Sequence, residues 1–277
     1  MADISPGAVQ QHEDRRGLDL PIGAKHYRAW VGPTANYDRV SALQFNLLTF
    51  LGLREDHYLL DIGCGSLRGG KLFIPYLLPE HYFGIEPEQW AIEEGIAQEI
   101  GQHQIDLKRP RFSNDRDFSL GVFGQQFDFI LAQSIFSHAS QAQIRRCLGE
   151  ARKVMRPGAI FVANYGIGEE DYTGDEWVYP GGVNYTPERM AALAAEQGLF
   201  CQPIHWPHPN GLSWIVLARP EDRDRVPPMS DSLPALQREL DLARRRLAEI
   251  QGHPLVALGL RVNQALRKGL RRVRGAS

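Results

Sequence analysis

The sequence predicts a doubly wound α/β fold, a seven-stranded and mostly parallel sheet with helices on both faces. Three observations predict it. Short apolar runs alternate with segments of helical period from His57 to Ala218, the pattern of a parallel sheet built from βα units. One of these runs, His57–Ile62, passes directly into the glycine turn Gly63-Cys64-Gly65 and then into a helix. The chain has 277 residues, 43% of them hydrophobic and 23% charged, enough for one large domain with extensions.

The elements follow in order. Residues 1–40 read as a leader and an N-terminal cap, with His26–Asp38 aromatic and punctuated by Gly and Pro. Leu43, Leu47, Leu48, Phe50 and Leu51 mark a helix over Ser41–Leu53. Strands are predicted at His57–Ile62, Tyr82–Glu86, Arg111–Phe112, Phe127–Gln133, Ala159–Asn164, Phe200–Ile204 and Ser213–Ala218. Helices are predicted at Gly70–Leu78, stopped by Pro79, at Gln89–Gly101 and at Gln141–Met155, which ends in the turn Arg156-Pro157-Gly158. Thr186-Pro187-Glu188 opens a last core helix, with Thr as N-cap and Pro at the first helical position, and Gly198 closes it. The main domain therefore spans 41–220, and a linker with an amphipathic helical tail spans 221–277.

Composition narrows the function. No run of eighteen apolar residues exists, so no membrane-spanning helix is expected. Met1–Leu20 is polar and lacks the apolar core of a signal peptide. Cys64, Cys147 and Cys201 are odd in number and widely spaced, which suits reduced thiols in a cytoplasm and no cysteine zinc site. From Leu236 to Ser277 there are ten Lys/Arg against three Asp/Glu, a balance of +7, so the rest of this chain of net charge −2 carries −9. An acidic body argues against gripping nucleic acid by its phosphates.

In open sheets of this kind, ligands bind at the carboxyl ends of the strands. The glycine turn there lets the backbone approach a ligand closely, and the following helix favours an anionic group. A dinucleotide fingerprint needs glycine at the sixth place of G-x-G-x-x-G. Counted from Gly63 that place holds Arg68. Glu86 ends the second strand 21 residues after Gly65, where a carboxylate can accept hydrogen bonds from both hydroxyls of a ribose.

Asp61-Ile62-Gly63-Cys64-Gly65, with Tyr82-Phe83-Gly84-Ile85-Glu86-Pro87 after it, resembles the class I S-adenosylmethionine-dependent methyltransferase family. Its third glycine is replaced by Leu67. Gln133–His138 resembles the segment after the family's fourth strand, and Cys147–Asn164 the helix, turn and strand that follow. The resemblance implies a Rossmann-like fold over about 41–218 and S-adenosyl-L-methionine as cofactor. It places Asp61, Gly63, Cys64, Gly65, Arg68, Glu86, Pro87, Asn114, Asp115, Gln133 and Ser134 around that cofactor, with Asp115 at the adenine amino group. An Asx-turn is the competing role for Asp115.

On the acceptor side, His138 is the candidate general base, because histidine titrates near neutrality. A hydrogen bond that fixes its loop is the alternative. Tyr165–Tyr185 reads as a lid. Tyr165, Tyr172, Trp177 and Tyr179 from it, Tyr27 from the cap and His208 from the Pro-rich turn His205–Pro209 are candidate acceptor residues, since aromatic groups with polar tips suit sugars and flat metabolites. Glu169-Glu170-Asp171 reads as a solvated face rather than a metal site.

The tail carries apolar residues at 233, 236, 240, 243, 247 and 250, a short heptad seam that predicts a coiled-coil homodimer or docking on the core. Beyond Pro254 an amphipathic basic segment has the make-up of an interfacial helix on anionic lipid; a solvated dimerisation helix is the alternative. No Phe, Tyr or Trp follows Leu236, so no nucleic-acid partner is expected. The resemblance extends to bacterial enzymes of glycan and secondary-metabolite modification. It implies O-methylation of a sugar, glycan or small hydroxylated metabolite, in the cytoplasm or peripherally at the inner membrane face. A nicotinamide-dependent reductase and a non-catalytic scaffold of the same fold are the rival readings.

Overall fold

The computed structural model describes residues 16–227. The predicted heptad seam, basic segment and dimer interface of the tail lie outside the described residues.

The core elements are α1 (Tyr37–Phe50), β1 (Leu59–Ile62), α2 (Gly70–Tyr76), β2 (Tyr82–Ile85), α3 (Gln89–Gly95), α4 (Gln102–Lys108), β3 (Arg111–Ser113), β4 (Phe127–Ala132), α5 (Gln141–Val154), β5 (Met155–Ile167), β6 (Asn184–Tyr185), α6 (Pro187–Glu196), β7 (Phe200–Ile204) and β8 (Ser213–Ala218). Seven strands form the main sheet in the order β3-β2-β1-β4-β5-β8-β7, and two-residue β6 pairs with β5. Strands β3 to β5 are parallel, and β8 runs antiparallel between β5 and β7. The sheet is the mostly parallel, Rossmann-like one expected.

Alternation along each strand splits the core in two. Leu60 and Ile62, Ile130 and Ala132, and Phe161 and Ala163 face one layer, which packs on Ile144, Cys147 and Leu148 of α5 and on Met190 and Leu193 of α6. Leu59, Phe129 and Leu131, and Ile160 and Val162 face the other, with Leu47 and Leu48 of α1, Phe73 and Ile74 of α2 and Ile92 of α3. A strand buried on both faces reads as a continuous apolar run, as β1 and β4 do. The helices after β1 and β4, neighbours in the sheet, lie on opposite faces, so their carboxyl ends diverge and leave a crevice at this switch point.

Local signals explain the boundaries. Thr186 caps α6 by accepting from Arg189 N (3.2 Å), as the sequence predicts. Ser140 and Gln143 form a capping box at the start of α5. The predicted helix 89–101 ends as an α-helix at Gly95 and continues as a single π-turn, Ile96–Ile100. A further helix, α4, follows that periodicity did not mark, because none of its residues is buried. The predicted turn Arg156-Pro157-Gly158 lies inside β5 as a bulge; pairing jumps from Phe127↔Met155 to Phe129↔Ile160. Past Ala218, Pro220–Arg225 form a 3₁₀ turn, Asp222 accepts from Gly158 N (2.8 Å) and Val226 is buried. No described helix is long and apolar enough to cross a membrane.

The N-terminal cap is tied down by charge and aromatic packing. Arg28 bridges Asp38 (3.0 Å) and Glu99 (2.7 Å), Lys71 bridges the same two acids, and both cations lie over the Tyr37 ring. Arg28 and Lys71 are about one-seventh exposed, so this network is screened less than a surface pair.

Candidate active site

A cavity of about 670 Å³ fills the crevice beyond the carboxyl ends of β1, β2, β4 and β5. Its floor is the glycine turn. Gly63 and Gly65 have φ of 69° and 55°, in the left-handed region. A Cβ on Gly63 would fall 2.1 Å from Ile135 Cδ1, and one on Gly65 2.5 Å from Val31 Cγ1. Glycine is therefore needed twice over at each place. Leu67, at the position of the missing third glycine, also has φ of 58° and is fully buried. The backbone thus keeps a glycine-like path, strained by about 1–3 kcal/mol and held by burial of the leucine side chain.

Around this floor the polar groups are few and well placed. Asp61, at the end of β1, is 3% exposed and accepts from the Tyr82 hydroxyl (2.7 Å). Burial pushes its carboxyl up to about 6, against the opposing hydrogen bond from Tyr82. Glu86, at the end of β2, accepts from Gly65 N and from Glu88 N, each at 3.0 Å, and burial raises its carboxyl. Each oxygen of Glu86 keeps lone pairs for a further donor.

Arg68 is 6% exposed, lines the cavity and has no carboxylate within ion-pair distance among the described residues. Its guanidinium donates to Val31 O (2.5 Å) and to Gln133 Oε1. Burial lowers it to about 10, which still leaves it charged at neutral pH. A buried cation with only neutral partners is costly, and an anionic group in the cavity would compensate it.

After β4, Ser134 adopts φ of 59°, and its amide donates to Asn164 Oδ1 (2.7 Å). This turn sends Ser137 and His138 under the segment 177–183. Val178 N donates to His138 O (2.8 Å) and Val183 N to Ser137 O (2.8 Å). His138 Nδ1 lies 2.9 Å from Val178 O and 2.7 Å from Gly181 O. Carbonyl oxygens only accept, so Nδ1 carries the proton and Nε2 keeps its lone pair. Burial lowers the histidine below its ordinary value and outweighs the two carbonyls. The loop-fixing bond and the free base are thus two ends of one imidazole. Trp177 and Tyr179 frame it, with ring centroids 5.6 and 5.1 Å from His138.

Of the residues the sequence pointed to, Asp61, Gly63, Cys64, Gly65, Arg68, Glu86, Pro87, Asp115, Gln133, Ser134, His138, Trp177 and Tyr179 all line this cavity. Asp115 does so while its Oδ1 accepts from Asp117 N (2.9 Å) and Ser119 N (2.7 Å). Burial raises its carboxyl, but these amides outweigh that and hold it below the usual range. The Asx-turn role is thus present, and Asp115 also lines the cavity.

Five candidates lie elsewhere. Asn114 turns its amide to Glu86 O (2.8 Å) and supports the turn from behind. Tyr165 falls within the longer strand β5, on the same side as Phe161 and Ala163, and is core at 2% exposure. Tyr172 packs against that same core, and its amide donates to Asn184 O (3.0 Å) at the root of the lid. Tyr27 is buried against Tyr37, and its hydroxyl accepts from Arg28 Nε (2.9 Å); the cap residue over the cavity is Trp30. His208 stands behind Gln133, with Nε2 3.1 Å from Gln133 Nε2 and its ring edge-on to Trp214. Ser137, Gln143, Asn184 and Phe118 line the cavity unpredicted, because which residues of a loop, a first helical turn or a short strand face a cavity is set by long-range packing and carries no periodic signal. Asp171 of the acidic run accepts from Thr186 N and Oγ1 and braces the start of α6. Among the described residues no His, Cys, Asp and Glu cluster suited to a metal ion is present.

Residues 60–161 match the family model of a methyltransferase domain. Several solved structures share the fold. A magnesium protoporphyrin IX methyltransferase from Synechocystis PCC 6803 superposes with a TM-score of 0.52 at 10% identity, over 76% of this chain and 94% of that one. The glycopeptide N-methyltransferase MtfA gives 0.50 at 10% identity, over 65% and 94%. The pyocyanin biosynthetic protein PhzM gives 0.52 at 17% identity, over 73% and 60%. At such identities the likeness is one of fold.

Proposed function

We propose that this chain, whose residues 60–161 match a methyltransferase domain, is an S-adenosylmethionine-dependent enzyme that methylates a hydroxyl of a sugar, glycan or small hydroxylated metabolite. The observation that carries the reading is one cavity lined both by the Gly63–Gly65 floor with Glu86 and Arg68 and by His138, whose Nδ1 is committed to backbone carbonyls. When bound, S-adenosylmethionine supplies an electrophilic methyl group on a sulfonium.

The residues fit that cofactor. The unpaired guanidinium of Arg68 suits its carboxylate. The buried Glu86 carboxylate suits ribose hydroxyls. The glycines let Ile135 and Val31 pack directly onto the turn, where any Cβ would clash, and so fix the backbone path of the cavity floor. Methyltransferases of the same fold have been solved with S-adenosylmethionine, S-adenosylhomocysteine and sinefungin bound.

A hydroxyl becomes a nucleophile by losing its proton, whereas a neutral amine already carries its lone pair. A histidine held neutral, with Nδ1 committed to Val178 O and Gly181 O and Nε2 open, is suited to take that proton. This is what favours oxygen over nitrogen as the acceptor atom. Trp30, Trp177 and Tyr179 line the cavity and present aromatic rings toward it.

Calorimetry with S-adenosylhomocysteine and with NADH separates this reading from a reductase, and labelled-methyl transfer to a hydroxylated acceptor panel separates it from a scaffold. Micromolar binding of the homocysteine compound without NADH binding is expected. Binding of NADH alone would overturn the proposal.

A further inference from the structure

The charges lining the cavity are not spread evenly. Asp61 lies in β1, and Arg68, Glu86, Glu88, Asp115 and Arg116 follow β1, β2 or β3. From β4 onward, no lining residue is Asp, Glu, Lys or Arg. The acids of the lid itself, Glu169 to Asp171, Asp175 and Glu176, are absent from the wall. The lining contributed from β4 onward therefore carries no charged side chain of its own, and His138 belongs to it; Arg68 meets this part of the lining at Gln133.

This part of the lining is not simply apolar. Gln143 commits its carbonyl oxygen to Ser140 N (2.8 Å) in the capping box, which leaves its Nε2 group available. The Asn184 side chain is exposed on the wall. Ser137 is 5% exposed, and its Oγ has no partner among the described residues. A hydroxyl left so costs about 1–3 kcal/mol; it is closed off from the open cavity, and a turn about its Cα–Cβ bond is what would bring it to a ligand there. The indole of Trp177 is 42% exposed and tilted beside His138. Neutral hydrogen-bonding groups around an aromatic face suit a ring that carries several hydroxyls. A carboxylate or phosphate beside His138 would be desolvated with no cation from this part of the lining, Arg68 being assigned to the cofactor carboxylate. A flat apolar phenol would leave Ser137, Gln143 and Asn184 unpaired.

Resting on the methyltransferase reading above, we propose that Ser137, Gln143 and Asn184 with Trp177 form a subsite for an uncharged polyhydroxylated ring, a neutral sugar unit. They hold a hydroxyl next to the one presented to His138. Anionic sugars are excluded.

The test uses the full chain saturated with S-adenosylhomocysteine and four probes, p-nitrophenyl β-D-glucoside, p-nitrophenyl α-D-mannoside, p-nitrophenyl β-D-glucuronide and p-nitrophenol, titrated by calorimetry. At least one neutral glycoside binds about tenfold or more tightly than the glucuronide and than p-nitrophenol, the scale of one or two lost hydrogen bonds. Gln143→Ala also removes a helix cap, so Asn184→Ala, on an exposed side chain, carries the residue test. It weakens the neutral glycoside while S-adenosylhomocysteine affinity stays unchanged, and Asn184→Arg moves the preference toward the glucuronide. Equal binding of the four probes, preference for the glucuronide or p-nitrophenol, or no probe binding to the S-adenosylhomocysteine complex overturns the subsite. Failure of S-adenosylhomocysteine itself to bind overturns instead the cofactor reading beneath it.

Discussion

The Tyr179 hydroxyl donates to the Trp30 carbonyl, and the two rings meet edge to face at 5.4 Å. Trp30 belongs to the cap beside Val31 and Gly32, which touch the glycine turn and Arg68. Tyr179 belongs to the lid and packs on His138. One hydrogen bond therefore joins the cofactor end of the cavity to the acceptor end. In the wild type, S-adenosylhomocysteine should slow amide exchange in both 26–33 and 176–183. Tyr179→Phe keeps the ring and should retain the first protection while losing most of the second. Undiminished protection of 176–183 in that variant would show that the bond couples nothing.

Gly63→Ala places a methyl group into Ile135 Cδ1 at a left-handed φ. Cofactor affinity should fall by about tenfold or more, given 1–3 kcal/mol of backbone strain added to the clash. Ile135→Ala opens the space but not the backbone, so the double variant should recover part of the loss. A strictly additive cycle would mean that the two side chains do not meet.

Arg68→Met removes a buried cation whose only described partners are Val31 O and Gln133 Oε1. Truncating one member of a buried charged contact typically costs about 2–5 kcal/mol. S-adenosylhomocysteine should lose at least about thirtyfold in affinity on that scale, whereas an analogue lacking the carboxylate should lose little. Equal losses for both ligands would move the guanidinium away from the carboxylate.

His138→Gln should lower kcat by about 10²–10⁴, the usual contribution of a general base, with cofactor affinity intact. Burial holds His138 below its ordinary value. The acid limb of the wild-type kcat profile should thus lie below pH 6.5, the reference for free histidine, and disappear in the variant. A variant with full kcat and an unchanged limb would exclude His138 as the base.

Asp61 has its carboxyl raised to about 6 by burial, above the value of about 3.9 in an unfolded chain. The folded state then binds this proton more tightly than the unfolded state. The group therefore costs no stability below about pH 4, costs increasingly as pH rises to about 6, and costs about 3 kcal/mol above that. Asp61→Asn should flatten denaturant stability between pH 4 and 6 relative to wild type. An identical pH dependence in the two proteins would refute the assignment.

Much of this was legible because it is local. Leu59–Gly65 specifies a strand and its tight turn, since an apolar run needs burial and the glycines permit φ values that other residues resist. Glu86 followed from its spacing to the glycine turn, and Arg68 from the resemblance carried by Asp61–Gly65. Thr186-Pro187 and Gly198 set both ends of α6 by capping chemistry. The sequence by itself thus determined the sheet, the glycine turn and the cofactor end of the cavity. Tertiary structure decided the acceptor end. Tyr165 became core because β5 runs on to Ile167, a length set by pairing with β6 and β8 rather than by propensity, and Tyr172 packs on that core because its amide is pinned to Asn184 O. Trp30 replaced Tyr27 over the cavity because Arg28 and Tyr37 hold the tyrosine inward. Ser137 and His138 are tied to 178–183 by backbone bonds across some forty residues, and Gln143 and Asn184 line the same cavity. No window of sequence carries such long-range closure, because its energy appears only once the sheet has brought the segments together.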